Sequence, residues 1–289
     1  MKIINLDPSC QDCFAAVVTR IAAMHKLSDE RIATLVAETR ALVTTAPADY
    51  GPPQVARQLG PLLRKHLGVE DPFREVKEKG NRQAAAAIDE LRRRVEGASD
   101  PFQAALRIAL AGNVIDFAYA GRQDLLATVE TLADAPLGID ETELLRADLA
   151  RAETVLYLGD NTGEVWCDRL LIETFPTTVN VTFATREVPV LNDATLVEAR
   201  EAGLHEVAEL ISSGSDAPGA ILSLLNERTR RLLDTADVVI SKGQGNFEAL
   251  FGHAPRPVYF LFLVKCGHVA DIIEREVGSG IVWQWRPCE

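Results

Sequence analysis

No stretch of the chain reaches the roughly 18 uninterrupted apolar residues that a membrane-spanning helix needs. The strongest apolar run, PVYFLFLV at 257–264, has the length of a buried strand. The opening residues MKIINLDPSCQDC lack the apolar core of a secretory signal. Positive charge is scarce: 30 Lys and Arg stand against 42 Asp and Glu, a net charge of −12. A general nucleic-acid surface calls for the opposite sign, and a small anionic substrate would need local cations or a metal to reverse the field. The five cysteines are odd in number and scattered, which argues against a disulfide framework and for a reducing compartment. No fixed-period repeat is present, nor the phosphate loop GxxxxGK[ST], nor the dinucleotide fingerprint GxGxxG. These absences predict a cytoplasmic protein with no membrane and no nucleic-acid partner. They leave the oligomeric state open.

What is present is an ordinary globular composition, 47% apolar and 25% charged over 289 residues. Residues 1–150 carry helical spacing, as at Phe14, Val17, Val18 and Ile21. Ser28 is placed to cap a helix, and Asp71-Pro72 and Asp100-Pro101 each read as a cap followed by proline at the first helical position. From about residue 153 short runs rich in Val, Ile, Tyr and Phe alternate with helical segments: TVLYL, TVNVTFAT, VAELIS, DVVIS, PVYFLFLV and GIVWQW. That alternation predicts an α/β fold, a largely parallel sheet covered on both faces in three α/β/α layers. The expected division is therefore a mainly helical domain over 1–150 and an α/β/α domain over 151–289 that carries the site.

In such sheets ligands bind at the carboxyl ends of the strands, and the polar residues fall there. Asp160 and Asn161 follow TVLYL; Arg186, then Asn192 and Asp193, follow TVNVTFAT; Lys242, Gly243, Gln244, Gly245 and Asn246 follow DVVIS. Asp160 or Asn161 could cap the helix starting near Gly163, and Asp193 could cap ATLVEARE. The alternative is an all-oxygen ligand set for a hard divalent cation such as Mg²⁺ or Mn²⁺. Lys242 between a buried strand and two glycines reads as a phosphate cradle ahead of a helix, and Arg186 could clamp phosphate bidentately. Together these suit metal-assisted attack on a phosphate ester. Whether water or an aspartate attacks stays open. Cys10 and Cys13 form a lone CxxC; a structural zinc site would need a second pair, and helix packing is the plain reading. His268, beyond the strand that contains Phe260, is a further catalytic candidate.

The blocks LGDNTGE, LNDAT and SKGQGNFEAL, with CQDC, DPFREVKEKGN and AGNVIDFA upstream, resemble the domain-of-unknown-function 89 family of metal-dependent damage-control phosphatases, in its prokaryotic branch. SKGQGNFE is the most specific of them. The resemblance spans nearly the whole chain; Ala118 stands where the family pattern has glycine. It implies a helical portion packed on an α/β/α sheet domain, a divalent metal (Mn²⁺, Mg²⁺, Co²⁺ or Ni²⁺) on Asp160, Asn161 and Asp193, phosphate on Lys242, and Asn113 and Asp116 near the cleft. The implied reaction is hydrolysis of small phosphorylated metabolites, sugar phosphates or their damaged forms. A non-catalytic binding protein for a phosphorylated metabolite or nucleotide would keep Lys242 and its glycines without needing the paired acids. A methyltransferase is disfavoured by the lack of GxGxG after the first strand.

Overall fold

The computed structural model describes residues 3–112, 125–133 and 135–287. In chain order come α1 (Cys10–Met24), α2 (Asp29–Thr44), α3 (Pro52–Leu67), α4 (Arg74–Gly97), α5 (Pro101–Gly112) and α6 (Leu125–Ala133). A two-residue strand β1 (Ile139–Asp140) and α7 (Thr142–Leu149) follow. Then strands and helices alternate: β2 (Thr154–Leu158), α8 (Glu164–Ile172), β3 (Asn180–Thr185), α9 (Leu196–Glu201), β4 (Glu209–Ser212), α10 (Glu227–Thr235), β5 (Val238–Lys242), α11 (Gly243–Leu250), β6 (Val258–Leu263), α12 (Gly267–Ile273) and β7 (Gly280–Trp285).

The strands form one sheet in the order β1-β7-β6-β5-β2-β3-β4. From β6 to β4 all neighbours are parallel. GIVWQW breaks the pattern: β7 runs antiparallel to β6, and β1 joins its far side in parallel. The period of two along each strand sends alternate side chains to opposite faces. Val155, Tyr157, Val181, Phe183, Val238 and Ile240 enter one core with residues of α4 to α8. Leu156, Leu158, Val239, Phe260 and Phe262 enter the other with residues of α10, α11 and α12. Three layers result, as expected. A third core, centred on Val18, Ile21, Leu35, Leu59 and Leu63, belongs to α1, α2 and α3. The helices α4 to α7, all before residue 150, thus share their core with the sheet, while α1 to α3 make their own. Asp100 accepts from the Gln103 amide ahead of α5, as the Asp-Pro signal predicts. Asp71 instead accepts from the Phe73 amide, and α4 starts later, at Arg74.

Candidate active site

The chain runs β2 to β3 to β4 toward one edge of the sheet, then returns to lay β5 and β6 on the other side of β2. The reversal falls between β2 and β5, and such switch points open a crevice at the strands' carboxyl ends. Asp160 and Asn161 leave β2 there, Lys242 ends β5 there, and Arg186 follows β3. Asp193 is brought in by backbone pairing. Asn161 and Asp193 form an isolated antiparallel bridge, the Ala194 amide donates to the Asp160 carbonyl at 2.8 Å, and the Thr162 amide donates to the Asn192 carbonyl at 2.9 Å.

The caps lie elsewhere. Gly163, at φ +86°, precedes α8 and has no side chain to cap with. Thr195 caps α9 in a reciprocal box with Glu198. Asp160, Asn161 and Asp193 are therefore not spent on helix ends, and all three are buried.

Their contacts define an acidic pocket. Asn161 donates through Nδ2 to Asp160 Oδ2 at 2.7 Å and to Glu164 Oε2 at 3.0 Å, and its Oδ1 accepts from Asn192 Nδ2 at 2.8 Å. Arg186 donates from Nε to Asp193 Oδ2 at 2.6 Å. Its Nη2 lies 3.5 Å from Asp160 Oδ1 and makes no hydrogen bond, although the residue is only 2% exposed. Burial, then the charges of Asp193 and Glu164, push the Asp160 pKa well above the ordinary carboxylate value. Four buried carboxylates, those of Asp160, Glu164, Asp168 and Asp193, face two buried cations, Lys242 and Arg186, and a third, half-buried one, Lys265, whose charge also reaches Asp160.

Lys242 stands differently from what its sequence context suggests. The expected glycine turn is the first turn of α11, which begins directly at Gly243. The ammonium points into the sheet's helix-covered side. It donates to Glu164 Oε1, to Asp168 Oδ1 at 2.8 Å and to the Ala109 carbonyl at 3.0 Å. An ammonium has three donors, so all are used. Burial alone would lower the Lys242 pKa; Asp168 and Glu164 outweigh it and raise it. The Tyr157 hydroxyl donates to the same Asp168 oxygen at 2.7 Å, and burial, opposed by Lys242, pushes the Asp168 carboxyl up to about 6.

Glycine at 243 is required by φ +77° and by contact: a Cβ there would lie 1.8 Å from Asp160 Oδ2. Glycine at 245 has a packing reason, since a Cβ would lie 2.4 Å from the Pro218 carbonyl oxygen. Asn246 acts as a latch through its Nδ2, while its buried Oδ1 makes no hydrogen bond. Its Nδ2 donates to the Gly159 and Lys242 carbonyls, tying the ends of β2 and β5. Asn113 and Asp116 lie outside the described residues. His268 is turned to the amino-terminal segment, with Nε2 3.0 Å from the Asn5 carbonyl oxygen and Nδ1 3.7 Å from Asp7. Burial raises the Cys10 thiol to about 11, away from thiolate chemistry.

Glu164, Asp168 and Lys265 are absent from the expected site. Glu164 and Asp168 are spaced i, i+4 in EVWCDRLLI, on one face of a mainly apolar helix immediately after a strand. That spacing was the available signal. Lys265 is half-buried beyond β6, and its charge acts on Asp160 and on Glu248.

A divalent cation fits this pocket. Asp160, Asp193 and the second lone pair of Asn161 Oδ1 make a hard-oxygen donor set, the surplus of buried negative charge calls for positive charge, and Gly243 puts no side chain over the Asp160 carboxylate. Among the described residues no three His, Cys, Asp or Glu side chains are arranged as a metal cluster, so the amide and water would complete the shell.

The damage-control phosphatase ARMT1-like domain model matches residues 6–281. The chain belongs to this family. It is 36% identical over 220 residues to a damage-control phosphatase of Pyrococcus horikoshii, covering 75% of this chain and 76% of that one. It is 30% identical over 286 residues to a damage-control phosphatase of Archaeoglobus fulgidus, covering 96% and 98%. A crystal structure of a DUF89 family protein from P. horikoshii superposes with a TM-score of 0.87 at 31% identity, over 97% of this chain and 99% of that one. The family resemblance read from LGDNTGE, LNDAT and SKGQGNFEAL is thereby shown. Among the described residues no helix is long and apolar enough to cross a membrane.

Proposed function

We propose that this protein is a metal-dependent phosphatase acting on small phosphorylated metabolites. The observation that carries the reading is the cluster of buried carboxylates at the sheet's switch point, beside an arginine Nη2 that makes no hydrogen bond. A divalent cation held by Asp160, Asn161 and Asp193 would draw charge from the phosphoryl oxygens. The chain's own groups do the rest. Arg186 Nη2 binds a phosphoryl oxygen, and the amino-terminal end of α11, whose dipole favours an anion, lies beside it. Lys265, just beyond β6, adds positive charge that reaches Asp160.

A cavity of about 430 Å³ opens beside this pocket, lined on one side by Tyr50, Arg57, Gln58 and Arg64 and on another by Val190 and Ile221. The Asp193 amide donates to the Val190 carbonyl, so the cavity shares a wall with the acid loop. Its size suits a small metabolite, and we assign it to the organic part of the substrate. Arg57 is paired with Asp216; Arg64 lines the cavity on the same side.

The test is hydrolysis of p-nitrophenyl phosphate and of sugar phosphates by metal-stripped protein, with Mn²⁺, Mg²⁺, Co²⁺ or Ni²⁺ added back. Turnover should depend on the added metal. Metal and phosphate binding without turnover across a broad ester panel would replace the reading with a binding protein. Arg64→Ala should raise KM for a sugar phosphate about fivefold or more and leave p-nitrophenyl phosphate within about twofold. Equal effects on both esters would remove the cavity from the substrate's path.

A further inference from the structure

The buried ammonium of Lys242 has three N–H donors and three acceptors: Glu164 Oε1, Asp168 Oδ1 and the Ala109 carbonyl. No donor remains for a phosphate. We propose that Lys242 is a positioning residue of the cation site, acting through Glu164 on Asn161, and not a phosphate ligand. The inference rests on the cation site described above.

The chain of contacts runs in one direction. Tyr157 and Lys242 meet at Asp168 Oδ1, which fixes the ammonium from the α8 side. Ala109 fixes it from α5. The ammonium then holds Glu164 Oε1, leaving Oε2 to accept from Asn161 Nδ2 at 3.0 Å and from the Asn161 amide at 3.4 Å. With its NH₂ end pinned by Glu164 and Asp160, Asn161 has only one way to present its amide oxygen. Asn192 takes one lone pair of that oxygen, and the other is left for the cation. A short, fully enclosed path thus links a strand-end lysine to the orientation of a ligand amide. Groups that orient metal ligands from behind alter metal affinity by about 10–100-fold when removed.

Without Lys242, Glu164 would lose the ammonium that pairs with its Oε1 in a site closed to solvent. It would then take a proton or turn away, and in both cases the hold on Asn161 would loosen. Asp168 would be stranded too, which is why the variant set includes a charge-balanced pair.

Mn²⁺ binding to metal-stripped protein is measured by calorimetry and by the metal-induced rise in Tm, and inorganic phosphate binding is measured on the Mn²⁺-saturated protein. Lys242→Met should weaken Mn²⁺ binding about tenfold or more. Phosphate affinity at saturating Mn²⁺ should stay within about twofold. If the single variant does not fold, Lys242→Met with Asp168→Asn removes one charge of each sign and keeps an acceptor for Tyr157; the same shift in Mn²⁺ affinity is expected. Unchanged Mn²⁺ affinity, or a phosphate affinity that falls tenfold at saturating metal, would overturn the proposal and return Lys242 to the phosphate. Neither readout needs turnover. Wild-type protein that binds Mn²⁺ yet hydrolyses no ester would sink the phosphatase reading and leave this inference standing.

Discussion

Asp160→Asn should abolish metal-dependent hydrolysis, lowering kcat/KM about 10³-fold or more, while raising the Tm of the metal-free protein. The two effects share one cause. Asp160 is enclosed, close to Arg186 but also to Asp193 and Glu164, and its pKa in the folded protein lies well above the unfolded value near 3.8. A carboxyl whose folded-state pKa is raised binds its proton more tightly in the native chain. Its contribution to stability therefore falls as pH climbs above about 4. Asparagine has nearly the same shape, keeps an acceptor oxygen and removes the charge. The variant's advantage should be small at pH 4 and at least about 2 °C at pH 8, the shift that roughly 1 kcal/mol produces in a chain of this size. Added Mn²⁺ should raise the Tm of wild type, by mass action on the native state, and leave the variant unmoved. The activity loss follows because charge at the cation site supplies several kcal/mol of transition-state stabilisation. A metal-free Asp160→Asn variant that melts below wild type at pH 8 would show that the carboxylate is compensated by a partner and that the pocket has no surplus charge to offer a metal. Functional sites commonly hold such unfavourable arrangements at a cost in stability.

The contrast between Asp160 and Lys242 shows where the sequence could be read and where it could not. Asp160, Asn161, Arg186 and Lys242 all fall at the carboxyl ends of strands whose apolar runs are visible in the sequence, and the rule for parallel sheets places a ligand there. Asp193 needed only the LNDAT block a few residues beyond its strand. What the sequence left open was direction. The lysine side chain reaches acceptors from α5 and α8, and Ala109 lies 133 positions away in the chain. No local pattern records that a carbonyl in one helix and two acids in another converge on one ammonium. Glu164 and Asp168 had their own i, i+4 signal, but it also fits a solvated helix face, and only the burial of α8 between sheet and α5 decides between them. Gly243 and Gly245 look alike in KGQGN. The first is glycine because a carboxylate lies against it, the second because the Pro218 carbonyl does. The helix caps failed for a similar reason: Gly163 and Thr195 sit closer to the helices than the acids do, and the acids were left for the pocket.

Gly243→Ala separates the two glycines and tests the pocket from its other side. Two costs coincide at this position. The backbone sits at φ +77°, where a non-glycine residue is strained by about 1–3 kcal/mol. The added methyl would meet three atoms of one side chain, Oδ2, Cγ and Cβ of Asp160, at 1.8, 2.2 and 2.9 Å. Overpacking a close-fitting site adds about 1–3 kcal/mol, so a stability loss on the order of 2–6 kcal/mol is expected. The clash has no flexible exit. Asp160 could move only by breaking its contact with Asn161 and leaving Arg186, and Gly243 is fixed by the start of α11. The carboxylate must shift, and displacement of about 1 Å at a reacting centre costs on the order of 10²-fold in rate. Gly245→Ala is the control. Its methyl would press on the Pro218 carbonyl, 2.4 Å away, and should destabilise the α11 packing without touching the acids. Measured at a temperature where each variant is folded, Gly243→Ala should lose Mn²⁺ affinity and turnover together, while Gly245→Ala should keep both and lose only Tm. A Gly243→Ala protein with wild-type Mn²⁺ affinity would mean that Asp160 does not hold the cation from the position it occupies, and the ligand set would have to be rebuilt around Asp193 and Glu164.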